Sequence, residues 1–442
     1  MKLINHMIFV DVNDSSKLVV NALDGTMDAI DMPTYAILTQ WQPQAHIVPS
    51  TPQEIALYDT LQARGYLVEN DAEEGERKNT ILTLLREHHT KERDSAKHLT
   101  FIMTYDCNFR CPYCFEGESN VKKDVITPAM IDAAFELTQN NVASILLFGG
   151  EPLLPKTKQA VAYILSKAPN KTYEIITNGY YLDAFIDMLS KVQVTRITVT
   201  LDGEEKEHDS KRYLANKKPT FQKIIQNIGL ALDVGIPICV RVNVDSTHAD
   251  AGANVQQYLA EKFPTHKDLL QFQIVTMLDK SDADKSDFIA ASFHNLVSCE
   301  YDERLRRDRG LLTYTPLINA VTYGMPMNPL YSHCYAHESK WAVDPYGKFY
   351  TCLVTVGKEG MAAGTYYPTV TFKEQSIYNR NIDKIPECRE CKYSLLCGGG
   401  CPLRLQDYSN LFKPVCSSVK TLIHNLLPRL YLAEQANKQK QA

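Results

Sequence analysis

Between residues 96 and 310 of this 442-residue chain, strand-like and helix-like segments alternate six times, a pattern that admits few folds. The run begins with HLTFIMTY and TPAMIDAAFELTQ, then ASILLFGG and PKTKQAVAYILSKA, then YEIITNG and YLDAFIDMLSKV. It continues with TRITVTLDG and PTFQKIIQNIGLALDVG, then PICVRVNV and AGANVQQYLAEKF, and closes with LLQFQIVTM and DFIAASFHNLVSC. Short apolar strands separated by amphipathic helices imply a parallel sheet with right-handed crossovers, open or curled into a partial barrel. Chemistry in such sheets is expected at the carboxyl ends of the strands.

The flanking segments follow other rules. Residues 1–95 open with apolar runs on either side of Asp24-Gly25, a hairpin signal, and go on to PTYAILTQW and TPQEIALYDTLQARGYLV at helical spacing. A small β-then-α module is expected, ending in DAEEGERKNTILTLLREHHTKERDSAK, whose mixed charges suit a linker or an exposed helix. Residues 311–442 are loop-rich and hold seven of the twelve cysteines. Metal ligation is expected to hold that region together, because it lacks the apolar runs for a large core. Within it, KTLIHNLLPRLYLAEQ reads as a helix and the polar end NKQKQA as frayed.

Composition narrows the partners. With 44% hydrophobic residues, 22% charged residues and a formal net charge of −5, the chain has no general basic field, so nucleic acid is not expected. No apolar run is long enough to span a membrane, and MKLINHMIFVDVND lacks the apolar stretch of a signal peptide. A cytoplasmic protein is expected, and there twelve cysteines point to metal or redox roles rather than disulfides.

Cys107-Asn-Phe-Arg-Cys111-Pro-Tyr-Cys114 follows directly on the first strand of the alternating region. Three thiolates at this spacing can grip three corners of a cubane cluster and leave the fourth iron open. Gly149-Gly150-Glu151-Pro152 ends the second strand, where glycines allow close approach and a carboxylate can accept from an ammonium group. Polar residues recur at later strand ends: Thr177 and Asn178, Thr200 and Asp202, then Arg241 and Asn243. His208, Asp209 and Arg212 in HDSKR read equally as a solvated loop or a peptide-contacting one.

These motifs resemble the radical S-adenosylmethionine superfamily, in which a C-x3-C-x2-C loop follows the first strand of a partial (β/α)6 TIM barrel. The resemblance implies a [4Fe–4S] cluster on Cys107, Cys111 and Cys114 whose open iron chelates S-adenosyl-L-methionine, and one-electron cleavage to a 5′-deoxyadenosyl radical. It places the GGEP element on the methionine amino group and makes the later strand-end residues candidates for ribose, carboxylate or adenine contacts.

Cys334, Gly347-x4-Cys352, Cys388-x2-Cys391-x5-Cys397-x3-Cys401 and Cys416 match the seven-cysteine SPASM signature throughout. By that resemblance Cys388, Cys391, Cys397 and Cys416 bind one auxiliary [4Fe–4S] cluster, and Cys334, Cys352 and Cys401 the other, three clusters in all. Some relatives have an eighth cysteine just before the first, but MPMNPLYSH has none, which implies an open iron or a non-cysteine ligand there. Cys239 and Cys299 fall outside both motifs and read as buried apolar-like residues, with Cys299 a minor candidate for a distant eighth ligand.

SPASM proteins mostly modify peptides and proteins. Sulfatase-maturing relatives carry an aspartate after the second SPASM cysteine, where this chain has Leu353, which argues against formylglycine formation. The hairpin-then-helices order of residues 1–95 resembles the winged-helix leader-binding element of peptide maturases, which adds the leader as a strand on its sheet edge. The expected activity is thus thioether formation in a ribosomally made precursor peptide, as in sactipeptide and ranthipeptide maturases, with a flavodoxin or ferredoxin as electron donor. Carbon–carbon crosslinking, sulfatase formylglycine formation and a non-catalytic iron–sulfur electron carrier are the alternatives.

Overall fold

The structure is a computed structural model describing residues 1–117, 122–244, 250–276, 315–334, 336, 338–405, 407–416, 419–420 and 422–441. The described residues divide into two compact units, one drawn from 1–92, 280–334 and 380–442, the other from 93–279 and 335–379.

The first unit begins with β1 (Lys2–Leu3), β2 (Met7–Asn13), β3 (Ser16–Asn21), β4 (Met27–Asp31) and β5 (Leu67–Val68). β2, β3 and β4 form an antiparallel meander, and β1 pairs antiparallel with β5. The Asp24-Gly25 hairpin forms as expected: Asn21 N donates to Thr26 O at 2.8 Å, and Gly25 has φ +78°. A Cβ on Gly25 would lie 1.8 Å from Met327 O, so the turn needs glycine for conformation and for space. Three helices accompany these strands: Met32–Trp41, Pro52–Ala63 and Asp71–Asp94. The second of them starts on a capping box between Thr51 and Glu54.

Two-residue periodicity gives the small sheet two apolar faces. Val19 and Met7 pack with Leu38, Trp41 and Tyr66, while Ile8, Val10, Leu18 and Val20 pack against Leu422, Ile423, Leu426 and Leu427. The two ends of the sequence therefore share one core, each buried aliphatic contributing about 1.5–3 kcal/mol.

The second unit is built on β6 (Lys97–Ile102), β7 (Val142–Phe148), β8 (Thr172–Thr177), β9 (Gln193–Thr200), β10 (Ile238–Val244) and β11 (Leu270–Thr276). All six pair in parallel and in chain order, the partial barrel the alternation predicts. Helices Pro128–Leu137, Lys158–Lys167, Phe221–Asp233 and Ala251–Lys262 fill four of the five crossovers, whereas YLDAFIDMLSKV, expected as a helix between β8 and β9, forms only the short turns Leu182–Ala184 and Ile186–Leu189. Apolar residues at i, i+3, i+4 and i+7, such as Phe221, Ile224, Ile225 and Ile228, bury one face of the third of these helices. The expected sixth helix, DFIAASFHNLVSC, and Cys299 lie outside the described residues.

Beyond β6 the sheet continues with β12 (Lys340–Val343), parallel to it, then antiparallel β13 (Lys348–Tyr350), β14 (Gly364–Thr365) and β15 (Thr371–Phe372). Buried Asp344 ties this extension to the end of β6, accepting from Tyr105 Oη at 2.9 Å and Tyr350 Oη at 3.2 Å. Among the described residues, no helix is long and apolar enough to cross a membrane.

Candidate active site

The cysteine loop leaves β6 and is held from two sides. Gly150 N donates to Thr104 O and Glu151 N to Asp106 O, both at 2.9 Å, while Arg110 N donates to Tyr213 O at 3.0 Å and Ala215 N to Asn108 O at 2.8 Å. The glycines of GGEP serve this stitching. A Cβ on Gly149 would meet Thr104 O at 2.4 Å, and one on Gly150 would meet Tyr105 O at 2.3 Å. The close approach expected for a ligand is made here by the cysteine loop's own backbone.

Glu151 is 1% exposed, and its carboxylate accepts from Leu153 N at 2.9 Å, Thr177 Oγ1 at 2.6 Å and Asn178 N at 2.7 Å. Burial raises its pKa in spite of these bonds. Asn178 Nδ2 in turn donates to Asn108 Oδ1 at 2.8 Å and lies 3.9 Å from Cys107 Sγ. Thr177, Asn178 and Glu151 thus form one connected group beneath Cys107.

A second group is centred on Asp202, 1% exposed at the end of β9. Its Oδ1 accepts from Asn243 Nδ2 at 3.0 Å, and its Oδ2 from Tyr113 Oη, the tyrosine between Cys111 and Cys114. Arg212 Nη1 donates to the same phenol oxygen at 2.7 Å. Burial opposes the charge on Arg212, but Tyr113, Cys111 and Asp202 outweigh it and hold the guanidinium's pKa up. Arg212 and His208, read from sequence as a loop with two readings, are both buried. His208 is held neutral by burial and by Arg212, and bridges Asp202 N and Thr220 Oγ1.

Thr200 is buried at the end of β9, in register with Arg241 on β10. The Arg241 side chain reaches the next strand, donating through Nε to Gln273 Oε1 at 2.9 Å. Glu116, which sequence reasoning missed, is buried two residues beyond Cys114, and burial lifts its carboxyl to about 8. Its only signal in the sequence is an acidic residue just after the cysteine motif.

Burial also raises the thiols of Cys107, Cys111 and Cys114, for Cys107 with Glu151's charge adding to it. Thiolates there need a compensating cation, as iron supplies. Three buried polar atoms around the loop have no hydrogen-bond partner: Asn108 Nδ2, Glu116 Oε1 and Arg212 Nε. Such orphans beside three thiols fit a bound group carrying both acceptors and donors.

In the other unit, Cys388, Cys391, Cys397 and Cys416 line one pocket with Tyr393 and Val415. Burial, followed by neighbouring thiols, pushes Cys388 up to about 11 and Cys397 up to about 12. Four soft donors in one pocket fit an iron–sulfur group. Cys334 and Cys401 belong to the same unit, and Cys352 to the barrel unit. Cys239 is buried in β10, as expected. Among the described residues no three His, Cys, Asp or Glu side chains close around a point one metal ion could fill. A cubane is larger and takes thiolates at separate corners.

Fold and loop point the same way as the family comparison: residues 101–246, which carry β7–β10, the end of β6 and the cysteine loop, match the Radical SAM superfamily model. Among curated proteins, GTP 3′,8-cyclase of Campylobacter fetus is 29% identical over 146 residues, 32% of this chain and 44% of that protein. The sporulation killing factor maturation protein SkfB of Bacillus subtilis is 23% identical over 163 residues, 36% of this chain and 39% of that protein. In both comparisons the chain spans less than half the relative's length. Native anSMEcpe with bound AdoMet and Cp18Cys peptide aligns over 77% of this chain and 99% of its own, with 18% identity and TM-score 0.52. SuiB of Streptococcus suis aligns over 94% and 99%, with 13% identity and TM-score 0.53. Likeness at these identities is likeness of fold.

Proposed function

We propose that this chain is a radical S-adenosylmethionine peptide maturase that forms a thioether between a cysteine sulfur and a carbon of a ribosomally made precursor. The observation that carries the reading is the three-cysteine loop at the end of β6, ringed by the orphaned atoms of Asn108, Glu116 and Arg212. Cys107, Cys111 and Cys114 would hold a [4Fe–4S] cluster, which with S-adenosylmethionine supplies one-electron cleavage and a hydrogen-abstracting radical. Arg212, a buried cation kept charged by Tyr113 and Asp202, is suited to orient the cofactor's carboxylate. Gly149, Gly150 and Glu151, with Thr177 and Asn178, set the loop's position; Thr200, Asp202 and Asn243 lie at the neighbouring strand ends, and Arg241 lies within β10 beside Thr200. Auxiliary clusters are assigned to Cys388, Cys391, Cys397 and Cys416, and to Cys334, Cys352 and Cys401.

Residues 1–95 are proposed to recognise the precursor's leader, residues 96–310 to generate the radical and residues 311–442 to carry the auxiliary clusters. Among the described residues β4 pairs only with β3, so its outer edge suits addition of a leader strand. A peptide substrate is supported by the maturation role in SkfB's name and by the peptide bound in anSMEcpe. Leu353, following Cys352, favours crosslinking over formylglycine formation.

The test is anaerobic turnover of reconstituted full chain with S-adenosylmethionine, a flavodoxin or ferredoxin system, and a cysteine-bearing precursor. Formation of 5′-deoxyadenosine that vanishes on Cys107→Ala, Cys111→Ala and Cys114→Ala together is the expected result. A product short of two hydrogens whose cysteine resists alkylation is the thioether; an alkylatable cysteine would make the link carbon–carbon. Absence of 5′-deoxyadenosine from loaded, reduced protein would leave an electron carrier.

A further inference from the structure

Arg380 is a fully buried guanidinium with backbone for company. Nε donates to Leu411 O at 2.7 Å, Nη1 to Gly400 O at 2.7 Å, and Nη2 to Gly399 O at 2.6 Å and Lys413 O at 2.9 Å. Its planar fork thereby ties the Cys397-Gly398-Gly399-Gly400-Cys401 loop to the segment leading to Cys416. Space is reserved for it: a Cβ on Gly399 would lie 3.2 Å from Arg380 Nη1. Gly398, Gly399 and Gly400 all have positive φ, which lets the loop fold back over the guanidinium.

Carbonyl oxygens satisfy hydrogen bonds but carry no charge to balance a cation. Among the described residues no carboxylate pairs with Arg380; nearby Asp383 is engaged by Arg86 and Tyr331. The thiols placed to supply that balance are those flanking the loop it binds: the Gly399 and Gly400 carbonyls that accept from its Nη2 and Nη1 lie between Cys397 and Cys401. A buried ion left unpaired costs several kcal/mol, so a cation built into this loop calls for a negatively charged group held beside it.

We propose that Arg380 is the fixed counter-cation of the C-terminal cysteines, balancing the negative charge of an iron–sulfur cluster bound there and holding its reduction potential up. Arg380 touches loop backbone rather than substrate or reacting atoms, and is a positioning and tuning residue. A cluster's potential follows the net charge and hydrogen bonds around it, so removing a buried positive charge beside the thiolates shifts reduction to more negative values. The inference rests on the auxiliary-cluster reading above.

The experiment uses the full chain with Cys107, Cys111 and Cys114 replaced by alanine, so that all remaining iron is C-terminal. Iron and sulfide per chain and the midpoint potential from a spectroscopic redox titration are compared for Arg380, Arg380→Lys and Arg380→Gln. The expected result is that Arg380→Lys keeps iron and potential near the parent, while Arg380→Gln shifts the potential negative or loses the iron. Equal behaviour of Lys and Gln variants, whether both unchanged or both empty, overturns the charge role and leaves at most a loop tie. A parent that binds no C-terminal iron overturns the auxiliary-cluster reading and this one with it.

Discussion

Gly150 shows how tightly single positions are specified: a Cβ there would lie 2.3 Å from Tyr105 O and 2.5 Å from Asp106 O, just before Cys107. Backbone must move to admit it, at roughly 1–3 kcal/mol of strain. Gly150→Ala is expected to lower the melting temperature modestly and to strip the iron held by the Cys107 loop while the barrel's circular dichroism persists. A variant with full iron and S-adenosylmethionine binding would show that the loop tolerates displacement. At this scale the placement of the cysteine loop and GGEP at neighbouring strand ends was legible, because thiol spacing and paired glycines stand out locally. Arg212, Glu116 and Arg380 were not, since charged residues are usually solvated and only their partners in space reveal burial.

Helix Asp71–Asp94 was legible as a helix or linker from its charge pattern, and the structure makes it helix, with Leu82 joining a core with Leu23, Ile382, Ile385 and Leu395. That partnership was hidden because the apolar stripe is narrow and all of those partners but Leu23 lie some 300 residues onward. Arg86 on this helix pairs with Asp383 at 2.7 Å, the two side chains 45% and 32% exposed. The Arg86 bond, with Tyr331 aiding, holds the Asp383 carboxyl below its usual range. A depressed carboxyl stabilises the fold above its unfolded value, about pH 3.9, and loses that contribution as pH falls through the lower folded value. With this exposure the pair contributes about 0.5–1 kcal/mol. Asp383→Asn is therefore expected to melt below wild type at about pH 7, the gap closing towards about pH 3. A gap independent of pH would assign the loss to the Tyr331 bond alone.

The six-strand parallel order was legible because each βαβ unit is local, whereas the union of the chain's two ends was not, being a contact across some 400 residues. Ile8, Val10, Leu18 and Val20 share a core with Cys397 and with Leu422, Ile423, Leu426 and Leu427, and Leu23 shares another with Cys388. The N-terminal strands thus support the protein around the C-terminal thiols. The three cubanes proposed above would give about twelve irons per reconstituted chain, and replacing Cys107, Cys111 and Cys114 by alanine should then leave about eight. Deleting residues 1–95 exposes the shared core, so that chain is expected to lose the C-terminal irons and keep about four at most. An N-terminal truncation that retained about eight C-terminal irons would show that the cysteine-rich region folds on its own metal. Iron, sulfide and zinc counted on the same samples separate these outcomes, because about four irons with zinc in the intact chain would make the C-terminal region a structural metal domain instead.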